Sequence, residues 1–338
     1  MKRLNILFST TRQWNCGDEF ILFGVRRLLD SLGVVYNPII YNRHPSICPR
    51  PWHRHSRWSK AERAPKRDNS FFLDHPETID YVIFAGSPEW SDGPRVAPLL
   101  NFIIDNGLRC AFIGVGISGT TQFGPELNRV LAENCDLITA RDPDCYELIR
   151  NMPNSFQEVC PALFSAPSNR LRTGPAHIGI VAQTAKTEFH SIPTETETYL
   201  TRQFDKLETA YPVTYIAHYI DEANLLAEQK KQFYYSGYSE DYPRLFDEFD
   251  LVISSRIHGC GLAASLGIPN ILIPHDARYK TALGFKAEIA NVGKEGADLS
   301  EMVARINIET ASAELIEHRA ARHEAFNVLL RQHLSILR

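Results

Sequence analysis

The stretch Cys110-Ala111-Phe112-Ile113-Gly114-Val115 indicates the fold class, because it is apolar from end to end. A strand buried on both faces of a parallel sheet has this pattern, whereas a strand with one solvated face alternates apolar and polar residues. Most of the other short β-rich runs in the chain share it. The predicted strands are residues 4–9, 34–40, 81–85, 110–115, 137–140, 177–182, 213–217, 251–254 and 270–273.

The stretches between these strands carry apolar residues at helical spacing. Alternation of strands and helices predicts an α/β protein with parallel sheets. Residues 165–176 contain few order-forming residues and mark a domain boundary. We therefore predict two doubly wound, Rossmann-like domains facing across a cleft, residues 1–168 and 169–338. The last helix is a candidate to pack back on the N-terminal domain.

The composition is that of a globular protein, with 44% hydrophobic and 22% charged residues, which excludes disordered and collagen-like classes. A net charge of −4 argues against a protein that binds nucleic acid along its whole length. No apolar run is long enough to cross a bilayer, and the first apolar stretch is too short for a signal peptide. The seven cysteines are scattered without a CxxC pair, so we expect a reduced, cytoplasmic protein without structural zinc.

Residues 42–70 form a basic segment with eight Lys or Arg, three His and two Trp against two acidic residues. The net charge is about +6, and Ile47 is the only aliphatic residue beyond Ala, so we expect a long loop. Two interpretations stay open. The segment is either a flap that binds an anionic glycan, a lipid pyrophosphate or the inner face of the membrane, or a solvated insertion.

Ligands of open α/β sheets bind beyond the carboxyl ends of the strands. Arg141 and Arg256 each follow a strand and precede a helix start. An arginine beside the unpaired N–H groups of a helix N-terminus makes a site for phosphate or carboxylate. His258 adds a titratable group at the same edge. Simpler alternatives also exist: Arg141 pairs with Asp142 or Asp144, and His258 is a turn histidine.

Other motifs give weaker indications. Asn15 and Asp18 are equally candidates for ligand binding and caps for a helix that begins at Glu19. Residues 114–119 match the GxGxxG spacing, but the first glycine lies in a strand and no acidic residue ends the next strand. The sequence has no HExxH, Walker A or GxSxG motif, and no Cys and His spacing typical of zinc. We expect neither a metal nor a cofactor.

Taken together, these motifs resemble the polysaccharide pyruvyl transferase family. The most specific is the Arg-aliphatic-His-Gly turn before a helix of small residues, and the whole set extends from residue 15 to about residue 285. The matching elements, in order, are Asn15-Cys16-Gly17-Asp18-Glu19, Ile113-Gly114-Val115-Gly116-Ile117-Ser118, Ile138-Thr139-Ala140-Arg141-Asp142, Ser254-Ser255-Arg256-Ile257-His258-Gly259, Gly267-Ile268-Pro269, Asp276 and Lys280.

The resemblance implies a two-domain fold like that of GT-B glycosyltransferases, with phosphoenolpyruvate as donor and a sugar diol as acceptor. The product would be a pyruvate ketal on a cell-surface glycan or its precursor, including a lipid-linked oligosaccharide. Carried over, Arg141, Arg256 and His258 hold and activate the donor. Residues 169–338 are then the donor side and residues 1–168 the acceptor side. The remaining substrate-binding candidates are Asn15, Gly17, Asp18, Gly86, Glu89, Trp90, Gly116, Ser118, Ile257, Gly259 and Lys280.

The chain departs from the family pattern where many relatives carry a glycine-rich turn. It has Ala85-Gly86-Ser87-Pro88-Glu89-Trp90 there, which indicates a different acceptor pocket. Trp90 could stack on a sugar ring or belong to the core. Glu89 could act as a base for the acceptor hydroxyl or serve as a helix-start acid.

Two other functions fit the same fold. In a glycosyltransferase, the arginines would hold the diphosphate of a nucleotide sugar and His258 would serve as base. A non-catalytic glycan- or phosphate-binding protein would use the same arginines without turnover. Fold alone does not separate these functions.

Overall fold

The computed structural model describes residues 3–11, 16–43, 75–88, 90–93, 95–117, 122–174, 177–181, 183–184, 192–291 and 297–338. The chain divides into two compact units. Unit 1 comprises residues 1–161 and 322–338, and unit 2 comprises residues 162–321. The limit between them falls before the boundary at residue 168 that the sequence predicts. The last long helix contributes its first part to unit 2 and its end to unit 1.

Unit 1 is built on a parallel sheet of six strands in the order β2-β1-β3-β4-β5-β6. Within the described residues the strands are β1 Leu4–Thr10, β2 Tyr36–Asn42, β3 Tyr81–Ala85, β4 Cys110–Val115, β5 Cys135–Ala140 and β6 Ser155–Gln157. The helices are α1 Cys16–Ser31, α2 Ala97–Asn106, α3 Pro125–Glu133 and α4 Pro143–Ile149, with a 3₁₀ turn at Pro76–Thr78.

Three neighbouring strands of unit 1 are buried along their whole length, which the continuous apolar sequences of β3 and β4 predict. Every residue of β3, β4 and β5 is buried. Phe84 and Phe112 stack on neighbouring strands with their ring centroids 4.1 Å apart. The helix start after β5 is also sequence-encoded, because Asp142 accepts a hydrogen bond from the Cys145 amide at 2.8 Å and Pro143 is the first helical residue.

Gly114 interrupts β4 for a packing reason. Its φ is +73°, and a Cβ atom at this position would lie 2.3 Å from Cδ of Pro161. Residues with a side chain rarely adopt this backbone conformation, and here there is also no space for one. The absence of a side chain at Gly114 therefore lets Pro161 pack against β4. This packing explains the glycine without a role in dinucleotide binding.

Unit 2 has its own parallel sheet of six strands in the order β12-β11-β10-β7-β8-β9. In the part of the chain that the structure describes, its strands are β7 Ile178–Val181, β8 Val213–Ile216, β9 Phe233–Tyr234, β10 Leu251–Ser254, β11 Asn270–Leu272 and β12 Glu288–Ile289. The helices that begin in it are α5 Thr194–Ala210, α6 Ile220–Glu228, α7 Tyr242–Phe246, α8 Ile257–Ser265, α9 Lys280–Leu283, α10 Leu299–Arg305 and α11 Ile308–His333.

The segment predicted as a boundary is tied closely to unit 2 at the amino end of β10. The Arg172 side chain is fully buried and donates to a carboxylate oxygen of Asp247 at 2.6 Å and to its carbonyl at 2.7 Å. The backbone amide of Arg172 donates to Ser312 Oγ on α11 at 3.0 Å. The described part of this segment is thus held by polar contacts of Arg172, which a search for apolar periodicity does not detect.

The two parallel sheets confirm the predicted α/β fold class, and each of the nine predicted runs contains a strand. The sequence misses β6, β9 and β12, which are two or three residues long and lie at sheet edges. The first helix begins at Cys16 rather than Glu19, so Asp18 lies in its first turn instead of capping it. Across the described ranges, no helix is both long and apolar enough to span a membrane.

Candidate functional site

The carboxyl edge of the unit 1 sheet brings together several residues predicted from the sequence. Following the strand order, Arg43 comes after β2, Asp18 belongs to the helix after β1, Gly86 follows β3, Gly116 follows β4 and Arg141 follows β5. Asp18 lies 4.0 Å from Nη2 of the buried Arg43. The acidic group at the start of α1 therefore has a cationic neighbour from β2, which the sequence did not indicate.

Gly116 is the central contact at this edge. Ser87 Oγ lies 2.8 Å from the Gly116 amide and 2.7 Å from its carbonyl oxygen. A Cβ atom on Gly116 would lie 2.5 Å from Nε of Arg141. The absence of a side chain thus lets the Arg141 guanidinium approach the end of β4, so Gly116 and Arg141 form one local arrangement.

Trp90 belongs to the packing of unit 1. Its ring stacks on Phe123 with centroids 5.1 Å apart, and it packs against the core cluster of this unit. Its indole Nε1 donates to the Gly116 carbonyl at 3.2 Å. This is the core arrangement that the sequence left open beside sugar stacking, and it places Trp90 in support of the Gly116 turn.

Some sequence candidates in unit 1 are not part of this arrangement. Gly17 is buried in the first turn of α1. Gly86 has φ +87° and lies close to Ile21. Its backbone conformation therefore explains why a glycine is found at this position. The remaining candidates lie outside the described residues: Asn15, Glu89, Ser118 and all of the basic segment 42–70 except Asn42 and Arg43.

The carboxyl edge of unit 2 carries the Arg256-Ile257-His258-Gly259 turn, between β10 and α8. Ser254 Oγ accepts from the Arg256 amide at 3.0 Å and donates to the Arg256 carbonyl at 2.7 Å. A Cβ atom on Gly259 would lie 2.5 Å from the same hydroxyl. Ser254 and Gly259 therefore shape the turn, and Arg256 occupies the N-cap position of α8.

The Arg256 guanidinium is held on two sides. Its Nη2 donates to Oε1 of Glu222, and its plane lies over the Tyr219 ring at 4.2 Å from the centroid. The side chains of Arg256 and Glu222 are 10% and 1% exposed. A buried carboxylate is therefore a counter-ion of Arg256, which the sequence did not indicate.

Glu222 contacts backbone as well as Arg256. Its Oε2 accepts from the His218 amide at 2.8 Å and from the Tyr219 amide at 3.1 Å. Glu222 is the third residue of α6, so this is the carboxylate half of a capping box. One carboxylate therefore links the turn after β8 to the turn after β10.

Two further histidines lie at this edge. The ring of His218 is in edge-on contact with Tyr242 at 5.4 Å. Burial, and then the positive charge of Arg256, hold the pKa of His218 well below its ordinary value. The pKa of His275, which follows β11, is also lowered, mainly by burial. Burial and the nearby Arg256 charge thus favour the neutral form of both imidazoles.

The remaining sequence candidates in unit 2 lie on the same edge. His258 and Ile257 are half-buried in the first turn of α8. Asp276 caps the 3₁₀ turn Ala277–Tyr279 by accepting from the Arg278 amide at 2.9 Å. Lys280 begins the short helix that follows.

Glu222, Tyr219 and His218 were not among the candidates predicted from the sequence. The sequence position of His218 could have indicated it, because His218 lies two residues after the end of β8, just as Arg256 lies two residues after the end of β10. Residues after β8 belong to the same set of strand ends. The described residues include no group of three or more His, Cys, Asp or Glu placed to hold a metal ion.

The structural comparison shows the fold. The UDP-GlcNAc 2-epimerase of Methanocaldococcus jannaschii, solved with UDP-GlcNAc and UDP, aligns at a TM-score of 0.53 and 14% identity over 96% of this chain and 100% of that chain. A putative UDP-N-acetylglucosamine 2-epimerase from Listeria monocytogenes gives 0.53 and 10% over 97% and 91%. The enzyme from Neisseria meningitidis bound to UDP-GlcNAc gives 0.52 and 12% over 96% and 93%. The fold is GT-B-like, as these neighbours are.

Sequence comparison identifies the family. A search of curated proteins gave no significant match. The family model described as polysaccharide pyruvyl transferase matches residues 15–277, which covers most of the chain and both arginine-bearing turns. An enzyme of the transferase class is thereby indicated, and the chain belongs to the polysaccharide pyruvyl transferase family.

Proposed function

We propose that this chain transfers the pyruvyl group of phosphoenolpyruvate to two hydroxyl groups of one sugar in a polysaccharide or its precursor, closing a cyclic ketal. The observation that carries the proposal is the Arg256-Ile257-His258 turn. It places a guanidinium and an imidazole two residues apart where β10 ends and α8 begins. Membership of the family supports the same activity.

Arg256 is suited to the donor because phosphoenolpyruvate carries both a phosphate and a carboxylate. A planar guanidinium binds either group through two parallel N–H donors, and the amides at the start of α8 add to the attraction. Tyr219 and Glu222 hold the guanidinium in place before the donor arrives. Such preorganisation reduces the conformational entropy that the Arg256 side chain loses when the donor binds.

The reaction moves a proton at three points, the donor methylene carbon and the two sugar hydroxyls, and His258 is the candidate acid and base. Protonation of the donor methylene carbon makes a methyl group and leaves positive charge on the central carbon. One sugar hydroxyl attacks that carbon and gives up its proton. The C–O bond to phosphate then breaks and phosphate leaves. The second hydroxyl attacks the same carbon to close the ketal, and the two hydroxyl protons are accounted for by the new methyl group and the released phosphate. An imidazole that accepts and returns protons near neutral pH serves these steps.

Arg141 is a second donor-binding candidate, assigned by resemblance to the family, and it lies against Gly116 in unit 1.

The acceptor is proposed to bind on the side of unit 1. A lipid-linked oligosaccharide is the finer acceptor hypothesis, and the basic segment 42–70 is its support in the sequence, because cationic residues attract pyrophosphate and anionic lipid. Removing residues 44–70 should then weaken acceptor use and leave donor binding unchanged.

A second candidate has one observation in its favour. The solved structures with this fold include epimerases bound to UDP-GlcNAc and UDP. A nucleotide-sugar donor would place its diphosphate at the same helix start and arginine. The two donors differ in the nucleoside, so ligand binding separates the two functions.

The deciding experiment is a thermal-shift titration with phosphoenolpyruvate in parallel with UDP and UDP-GlcNAc. A ligand at about 100 times its dissociation constant stabilises the folded state by about 2.7 kcal/mol, which raises the unfolding temperature by a few degrees. We expect a shift with phosphoenolpyruvate that disappears in Arg256→Ala and Arg141→Ala. The Arg256→Lys variant should lose most of the shift, because an ammonium lacks the planar fork of donors.

Asp298→Asn is the matched control. Asp298 also starts a helix of unit 2 and pairs with a cation, Lys206, at 2.8 Å. This variant should lower the unfolding temperature and keep the ligand-induced shift. A shift with UDP or UDP-GlcNAc alone would transfer the assignment to a nucleotide-sugar enzyme. Retention of the phosphoenolpyruvate shift in Arg256→Ala would remove that arginine from the donor site.

A further inference from the structure

We infer that Glu222 is a positioning residue of the donor site, which fixes the guanidinium of Arg256 in the orientation that binds the donor anion. The inference rests on the proposed function. It assigns a role to a residue outside the Arg-aliphatic-His-Gly turn, on a different strand end. It names the specific contact through which that residue acts.

The geometry gives Glu222 two separate duties. One carboxylate oxygen accepts from Nη2 of Arg256, and the other accepts from the amides of His218 and Tyr219 at 2.8 and 3.1 Å. The carboxylate is 1% exposed, so water does not replace any of these bonds. A group used only as a helix cap would need the backbone contacts alone.

The guanidinium is oriented because its contacts act in two directions. Glu222 fixes it within its own plane, through a charge-assisted hydrogen bond. Tyr219 fixes the tilt of that plane, with its ring 4.2 Å from the guanidinium carbon. An arginine side chain otherwise has several rotatable bonds, and binding would have to order them.

Glutamine at position 222 cannot perform both duties. Its amide has one oxygen and one NH₂ group, whereas both edges of the carboxylate face hydrogen-bond donors. The edge toward His218 and Tyr219 has two donors and the edge toward Arg256 has one, so the oxygen should turn to the backbone. The NH₂ group then faces the Nη2 donor of Arg256 and displaces the guanidinium.

Removal of the carboxylate charge by itself should strengthen donor binding, because Glu222 also repels an anion bound near Arg256. This effect opposes the loss of guanidinium orientation. We expect the loss of orientation to dominate, since charge-assisted hydrogen bonds to an anion weaken steeply away from linear geometry. The expected result for Glu222→Gln is phosphoenolpyruvate binding about tenfold weaker than in the wild type. Unchanged or tighter binding of phosphoenolpyruvate and inorganic phosphate would overturn the inference.

The test compares dissociation constants measured by calorimetry for the wild type, Glu222→Gln, Arg256→Ala and the double variant. If Glu222 acts through Arg256, the double variant should bind phosphoenolpyruvate within about twofold of Arg256→Ala. Independent, multiplied losses would overturn the inference. Dissociation constants are used because a partly unfolded sample lowers apparent turnover but leaves the affinity of its folded fraction unchanged.

Two variants keep the test decisive. Tyr219→Leu removes the ring under the guanidinium and retains the backbone amide that Glu222 caps, so it should weaken donor binding a few-fold in the presence of Arg256 and not in its absence. Asp298→Asn should leave the dissociation constant unchanged. If Glu222→Gln does not fold, an unaltered constant in Tyr219→Leu overturns the inference.

The outcome for the wild type separates this inference from the proposed function. No binding of phosphoenolpyruvate by the wild type would reject both. Binding by the wild type that is lost in Arg256→Ala and unchanged in Glu222→Gln would support the proposed function and reject the role of Glu222 alone.

Discussion

Replacing Gly114 by alanine should destabilise unit 1 more than the same replacement at Gly33. The two glycines share φ +73°, so each alanine has the cost of a left-handed backbone, about 1–2 kcal/mol. At Gly33, apart from the glycine and its two chain neighbours, no atom of the described residues lies within 4 Å of the added Cβ. At Gly114 the Cβ would lie 2.3 Å from Cδ and 2.9 Å from Cγ of Pro161.

The close contact at Gly114 adds an overpacking cost of about 1–3 kcal/mol, giving about 2–5 kcal/mol in total. Urea unfolding followed by tryptophan fluorescence reports unit 1 selectively, because all four tryptophans fall within residues 1–161. With a denaturant slope of about 2 kcal/mol per molar, the midpoint should fall by about 1–2.5 M in Gly114→Ala and by about 0.5–1 M in Gly33→Ala. Equal midpoints would refute the packing explanation of Gly114.

The other predictions concern unit 2. His258→Ala should lower turnover by about 10²–10⁴-fold while phosphoenolpyruvate still binds, as phosphate release and calorimetry would show; an active variant would remove His258 as the acid and base. The pKa of His218 is lowered in the folded state, so below about pH 6.5 the unfolded chain binds a proton at His218 that the folded chain does not. The free energy of unfolding should therefore decrease as pH falls. His218→Phe should make the unfolding temperature depend less on pH on the acid side of a thermal-unfolding pH series. Asp247→Asn should lower the free energy of unfolding by about 1–3 kcal/mol, because it removes the carboxylate that pairs with the buried Arg172 guanidinium. Asp247 is itself half exposed. A change near zero in thermal unfolding would contradict this prediction.

The fold was predictable where burial is continuous. β3 and β4 were found within one residue of their observed limits, because a strand covered on both faces has no polar position to obscure the pattern. β9 and β12, with two residues each, lack enough length for any periodicity. Edge strands pair on one side only, so their sequences are less constrained by the sheet.

The candidate site was predictable to the extent that its groups follow strands. The sequence placed Arg141 after a strand of unit 1 and Arg256 after a strand of unit 2, since the parallel strands of each sheet bring their carboxyl ends to one edge of that sheet. The Glu222–Arg256 pair was not predicted, because its partners are 34 positions apart in the sequence, which does not show which side chains turn toward each other. Trp90 illustrates the same limit, because its contact with Phe123 depends on the path of the loops.

The last helix, α11, has a consequence for how the chain is made. Asn327 accepts from Ser31 at 3.1 Å and the amide of Ser335 donates to Asp136 at 2.9 Å, so unit 1 completes its contacts with residues that come after all of unit 2. During synthesis at about 5–20 residues per second, roughly 160 residues separate Pro161 from the returning segment, a delay of about 8–32 s. Over that interval the nascent unit 1 lacks the contacts that these final helical turns supply.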